Sequence, residues 1–172
     1  MTYTRDFPRE PGNVCVRCQS GGNATYLVRS GAARGLRFSM AISYGNACAV
    51  NECDILEYLA GDPETAAIAA YIEGATDGRR LAEVLPRAVA AKPVVVYKGG
   101  STEAGGRAAA SHTGAMAGSR AAWDALLRQS GAMPADSVEE VADALVALLQ
   151  VKRPRGLNAC VVGVGGGASV QA

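Results

Sequence analysis

The 172-residue sequence has one histidine, one tryptophan, two phenylalanines, and no dominant sign of charge. Seventeen lysines and arginines stand against sixteen aspartates and glutamates, for a formal net charge of +1. That balance gives no electrostatic basis for binding nucleic acid or an anionic membrane, so neither is expected as a partner. Hydrophobic residues make up 49% and charged ones 19%, which excludes disorder driven by self-repulsion. The hydrophobic runs fall far short of the roughly 20 residues of a bilayer span, and the amino terminus has no signal core. A soluble, cytoplasmic protein is expected. At about 150 residues per domain, the length makes one domain with a little left over.

Paired cysteine sets are also missing. The five cysteines (Cys15, Cys18, Cys48, Cys53 and Cys160) are odd in number and scattered. Cys15 and Cys18 have C-x-x-C spacing but lie in a run that reads as a strand, residues 14–18. Residues three apart on a strand face opposite ways, so the two thiols cannot share a metal there. The expectation is reduced, semi-buried thiols and no metal site.

What is present is glycine, 21 residues of it, alanine, and a repeating alternation of apolar periods. Short apolar runs at 14–18, 37–42, 66–72 and 93–97, bounded by Gly, Asn, Asp or Pro, read as buried strands, with a short fifth near 132–135. Helical patterns lie between them. The first runs over 23–34. Asn51 caps a second over 52–60, whose apolar side is Ile55, Tyr58 and Leu59. Asp77 starts a third carrying Leu81, Val84, Leu85 and Ala88. Ser119 opens a fourth, with Trp123, Leu126 and Leu127, that closes at Gly131. Ser137 with Glu140 reads as a capping box for the fifth, whose stripe is Val138, Val141, Ala142, Leu145, Leu148 and Leu149. This alternation implies an α/β fold in three layers, a doubly wound parallel sheet with helices on both faces. Residues 1–11 read as an amino-terminal extension, 12–150 as the domain and 151–156 as a linker. Residues 157–172 read as the first strand and Gly-rich turn of a following α/β domain.

Ligands of such sheets bind at the carboxyl ends of the strands. Ser20-Gly21-Gly22-Asn23 follows the first strand and is either a tight turn or a cradle of exposed amides for a phosphate. Ser43-Tyr44-Gly45-Asn46 follows the second. Glu73 stands directly behind six apolar residues at the top of the third, where it either caps a neighbouring loop or takes part in chemistry. After the fourth strand, residues 98–118 form a long aperiodic connection that contains Ser111-His112-Thr113-Gly114. A loop of that length is usually functional. A neutral imidazole oriented by a carboxylate can attack phosphorus, and with a helix start to hold the phosphoryl group it becomes a phosphate carrier.

Ser111-His112-Thr113-Gly114-Ala115-Met116-Ala117-Gly118, with 103–110 before it, resembles the phosphohistidine loop of ADP-forming (NDP-forming) acyl-CoA synthetases, relatives of the succinyl-CoA synthetase α subunit. Gln19-Ser20-Gly21-Gly22, Gly45-Asn46, residues 54–59, Tyr71-Ile72-Glu73-Gly74 with Asp77-Gly78-Arg79, and residues 92–96 follow in the family's order. The resemblance covers about 12–150. It implies a flavodoxin-like domain in which an acyl phosphate phosphorylates His112, which then passes the group to ADP. By the same resemblance Glu73 orients His112, and Ser20, Gly21, Gly22, Ser111, Thr113 and Gly114 bind the phosphoryl group. CoA, ATP or ADP and Mg²⁺ would serve the full enzyme, with no cofactor held in this domain. Its partners would be a CoA-binding Rossmann domain and an ATP-grasp domain or subunit, in an oligomer, and the isolated chain would not turn over. Two departures stand out: Ala47-Cys48-Ala49 where the family commonly has Lys-Ala-Asp, and Cys18 where serine is usual. A non-catalytic flavodoxin-like subunit or scaffold of the same family is the alternative.

Overall fold

Five short runs of small and β-branched residues become five parallel strands in the computed structural model, which describes residues 7–100, 119–152, 156 and 160. They are β1 (Pro11–Cys18), β2 (Phe38–Ser43), β3 (Ala67–Ile72), β4 (Val94–Lys98) and β5 (Met133–Ala135). Their order across the sheet is β2-β1-β3-β4-β5. The helices are α1 (Gly21–Ala33), α2 (Glu52–Gly61), α3 (Gly78–Ala91), α4 (Arg120–Ser130) and α5 (Val138–Gln150). This is the three-layer, doubly wound architecture that the alternation implied, in the flavodoxin-like form that the resemblance implied.

Alternate strand residues feed two cores. Cys15, Ile68, Ala70, Ile72, Val94 and Val96 pack with α2, α3 and α4, whereas Val14, Val16, Cys18, Ala69, Tyr71 and Val95 pack with α1 and α5. Cys15 and Cys18 therefore lie in opposite cores, as strand geometry requires. Each fully buried Leu or Ile, such as Leu27, Leu56, Ile68 and Leu85, contributes roughly 1.5–3 kcal/mol of hydrophobic free energy.

The helix starts follow the polar residues at their mouths. Asn51, Asp77, Ser119 and Ser137 are all N-caps, and Gly131 ends α4 in the left-handed region at φ 74°. Several expectations need correction. Helix α1 starts at Gly21, because the Ser20 side chain caps it by accepting from the Asn23 amide. Strand β2 is half-exposed because it is a sheet edge, covered by a neighbouring strand on one side alone. Tyr58 is 60% exposed: α2 buries Leu56 and Leu59, and Tyr58 stands about 200° around the helix from Leu56. Ser137 accepts from the Glu140 amide, but Glu140 accepts from Asp136 rather than from Ser137, so the capping box is half-formed there. The complete one is at α2, where Asn51 and Asp54 cap each other. Strand β1 begins earlier than its apolar run, through a bulge at Gly12. A Cβ there would lie 2.1 Å from Arg37 Cβ, so only glycine fits.

Among the described residues no helix is long and apolar enough to cross a membrane. Residues 157–159 and 161–172, read as the start of a further domain, lie outside the described residues.

Candidate functional site

The chain passes from β2 at one edge, across β1, to β3, so the connections after β1 and β3 leave toward opposite faces. Helix α1 joins the Val14 side and α3 the Cys15 side. Such a divergence leaves a crevice at the carboxyl ends of β1 and β3. Two of the motifs meet there. The Gln19 amide donates to the Tyr71 carbonyl at 3.2 Å, and Gln19 Oε1 accepts from the amides of Glu73 and Gly74. Gln19 is 5% exposed, and this buried side chain ties the Ser20 loop to the Glu73 loop.

Ser20, Gly21 and Gly22 form the cap and first turn of α1, with both glycines exposed. Among the described residues, the Ser43 and Ser20 hydroxyls, at 3.7 and 3.8 Å, are the neighbouring side-chain atoms a Cβ on Gly21 or Gly22 would meet. Amides of a helix start left open in this way can receive an anion. Glu73 stands at the top of β3, where the Tyr71 hydroxyl donates to its Oε1 at 3.2 Å. Burial first, and then Glu73, push the Tyr71 phenol above its ordinary range, so this hydroxyl stays a donor. Ser111, His112, Thr113 and Gly114 lie outside the described residues.

Three groups near the crevice were not singled out from the sequence. Arg17 interrupts the first apolar run yet is fully buried; its Nη2 donates to the Tyr44 hydroxyl at 2.7 Å, and its guanidinium carbon lies 5.2 Å from the Tyr44 ring centre. Burial pushes the Tyr44 phenol up to about 12, against the pull of Arg17. Glu52, also fully buried at the head of α2, accepts from the Thr76 amide and hydroxyl at 2.7 and 2.9 Å and so pins the β3–α3 loop. Among the described residues Arg17 Nε and Nη1 and Glu52 Oε2 have no hydrogen-bond partner. The third is Lys98, the last residue of β4, half-buried beside Trp123. A charge inside a strand run and a charge closing one were the visible signals for Arg17 and Lys98. Gln19 had none beyond its place in a motif.

The turn after β2 holds Gly45 and Ala47 in the left-handed region, at φ 53° and 57°. Its residues 46–50 carry no charge, and Cys48 is exposed. Cys18 lies below the Ser20 loop, where burial raises its thiol to about 12 despite the Ser20 amide and Arg17. It is therefore a packing group rather than a nucleophile.

Comparisons with known proteins agree with this architecture. The family described as the succinyl-CoA ligase-like flavodoxin domain matches residues 11–148. An ADP-forming acetate–CoA ligase I of Archaeoglobus fulgidus is 40% identical over 99% of this chain, which spans 24% of that protein. The α subunit of ADP-forming acetate–CoA ligase II of Pyrococcus furiosus is 40% identical over 92% of the chain and is 35% covered. An acetyl-coenzyme A synthetase 1 of Ca. Korarchaeum cryptofilum, solved with phosphate and ADP, superposes with a TM-score of 0.85 at 38% identity; the match takes in 95% of this chain and 36% of that one. The chain thus spans about a quarter to a third of the relatives it matches. On a match that runs through all five strands and both cores, this chain belongs to the succinyl-CoA ligase-like flavodoxin domain family.

Proposed function

We propose that this chain is the phosphohistidine domain of an ADP-forming acyl-CoA synthetase, a ligase that interconverts acid, CoA and ATP with acyl-CoA, ADP and phosphate. The observation that carries the reading is the junction of Gln19, Ser20 and Glu73, which sets an open helix start beside a carboxylate at the crevice. A relay needs little more than this from its protein, because phosphoryl transfer is governed by positioning and charge stabilisation.

In this reading a neutral ring nitrogen of His112 attacks the phosphorus of an acyl phosphate. A nitrogen–phosphorus bond forms, the phosphorus–oxygen bond to the acyl group breaks, and the carboxylate leaves. Glu73 holds the other ring nitrogen in its protonated form. Ser20, Gly21 and Gly22, with Ser111, Thr113 and Gly114 from the loop itself, steady the phosphoryl oxygens. ADP then takes the group from His112, regenerating the free imidazole. The magnesium such reactions use would accompany the nucleotide, held by its phosphates. The CoA and nucleotide sites belong to partner domains, a Rossmann domain and an ATP-grasp domain, and the assembly is cytoplasmic and oligomeric.

The test is incubation of the assembled ligase with labelled ATP. Acid-labile, alkali-stable label on this chain, lost in His112→Asn, is the expected result. Label retained in His112→Asn overturns the proposal.

A further inference from the structure

Lys98 closes β4 in register with Ile72, the residue before Glu73, and so stands at the same end of the sheet as the crevice, its side chain on the Trp123 face, across the sheet from α1. The side chain is half-buried. It donates to the Gly99 carbonyl and lies 5.4 Å from the centre of the Trp123 ring. Among the described residues no carboxylate comes within ion-pair distance of it, and Glu73 acts on it at longer range. Three arginines of the neighbouring elements have partners of their own. Arg80 is held by Asp54 and Glu57 at 2.7 Å each, Arg120 by Asp124 at 2.9 Å, and Arg17 lies under the Tyr44 hydroxyl.

Keeping an ammonium half out of water without a paired carboxylate raises the free energy of the resting protein. Burial lowers the Lys98 pKa, and Glu73 opposes that shift. An anion arriving at the crevice removes the penalty. The Trp123 face holds the charge in place meanwhile, since a cation over an indole is attracted by the ring's quadrupole.

Resting on the function proposed above, we propose that Lys98 is a charge-stabilising residue of the phosphoryl site, its ammonium meeting the oxygens of the transferring phosphoryl group opposite the amides of α1. Lys98 makes and breaks no bond, and its proton stays on Nζ throughout. The ligand chemistry is a tetrahedral phosphoryl dianion, whether on the acyl group, on His112 or as free phosphate.

The assembled ligase distinguishes this from the parent reading. His112→Asn, Lys98→Met and Lys98→Arg are compared for the rate of phosphohistidine labelling from ATP and for the KM of inorganic phosphate in acyl-CoA cleavage. Lys98→Met is expected to slow labelling about 100-fold and raise the phosphate KM, with a melting temperature no lower than wild type, because a costly charge has gone. Lys98→Arg is expected to recover most of the rate. Labelling rate and phosphate KM within twofold of wild type in Lys98→Met, with His112→Asn unlabelled, overturn the role of Lys98 and leave the parent function standing. Label retained in His112→Asn overturns the parent function instead. Should Lys98→Met fail to assemble, Lys98→Gln is measured in its place: a wild-type rate and phosphate KM there overturn the role, and their loss supports it.

Discussion

Gln19 reaches Glu73 through the backbone: one side-chain oxygen accepts the amide hydrogens of Glu73 and Gly74, the second at 3.1 Å. Two loops that come from different strands are thereby fixed by one buried amide group.

Removing that oxygen leaves the amides of Glu73 and Gly74 without their acceptor at a place water reaches poorly. Gln19→Leu is expected to lose about 1–3 kcal/mol in urea unfolding, the cost of a buried donor left unsatisfied. Gln19→Glu retains an acceptor in the same position and should lose less. Equal losses in the two variants would contradict the assignment.

The two fully buried charges, Arg17 and Glu52, act jointly on their surroundings. Both contribute to the electrostatics of Tyr44 and of Cys53, so their fields overlap. Arg17→Met leaves the Glu52 carboxylate buried without that field, and Glu52→Gln does the converse. A double-mutant cycle should therefore yield a coupling of about 1 kcal/mol or more, the double variant being more stable than the sum of the singles predicts. Strict additivity refutes this coupling.

At the start of α2, Asn51→Ala removes a side chain that accepts from two amides, Cys53 at 2.8 Å and Asp54 at 3.2 Å, and should cost about 1 kcal/mol. Its reciprocal partner makes the helix acid-sensitive. The Asn51 amide, and then Arg80, hold the Asp54 carboxyl below its ordinary range. A depressed carboxyl contributes stability that is complete above its unfolded pKa and is lost as pH falls through the folded value. Asp54→Asn should accordingly flatten the acid limb of the stability curve, read from thermal melts between pH 2 and 7.

Thiol reactivity should divide by layer. Cys15 and Cys18 are buried and raised to about 12, and Cys53 to about 11, burial being the leading cause in each case. Cys48 and Cys160 are exposed. Alkylation of the native protein at pH 8, followed by peptide mapping, should modify Cys48 and Cys160 quickly and the other three only after unfolding.

Much of the fold was legible because its elements obey local rules. Each apolar run became a strand, and Asn51, Asp77, Ser119 and Ser137 each opened a helix where a polar side chain could accept from the next turn's amides. The errors arise where a partner distant in sequence decides. The spacing of Tyr58 fits a stripe with Ile55 and Leu59, but the buried side of α2 runs through Glu52, Leu56 and Leu59 and leaves Tyr58 outside. Arg17 interrupts an apolar run, and nothing local reveals that the hydroxyl of Tyr44, 27 residues later, accepts its hydrogen bond. Glu52 stands in the first turn of α2, and its task, holding Thr76, needs the fold to bring α2 under the β3–α3 loop. For the site, Ser20 and Glu73 were readable as strand-end residues. Gln19, which joins them, was not, because a neutral amide has no sequence pattern of its own.

At the far side of the sheet, β5 is three residues long and has Pro134 at its centre, opposite Val96. Proline brings no donor, and a strand this short presents few free groups to a newcomer. Lateral growth of the sheet therefore stops at β5. At this edge a newcomer would therefore meet side chains rather than a ladder of backbone hydrogen bonds.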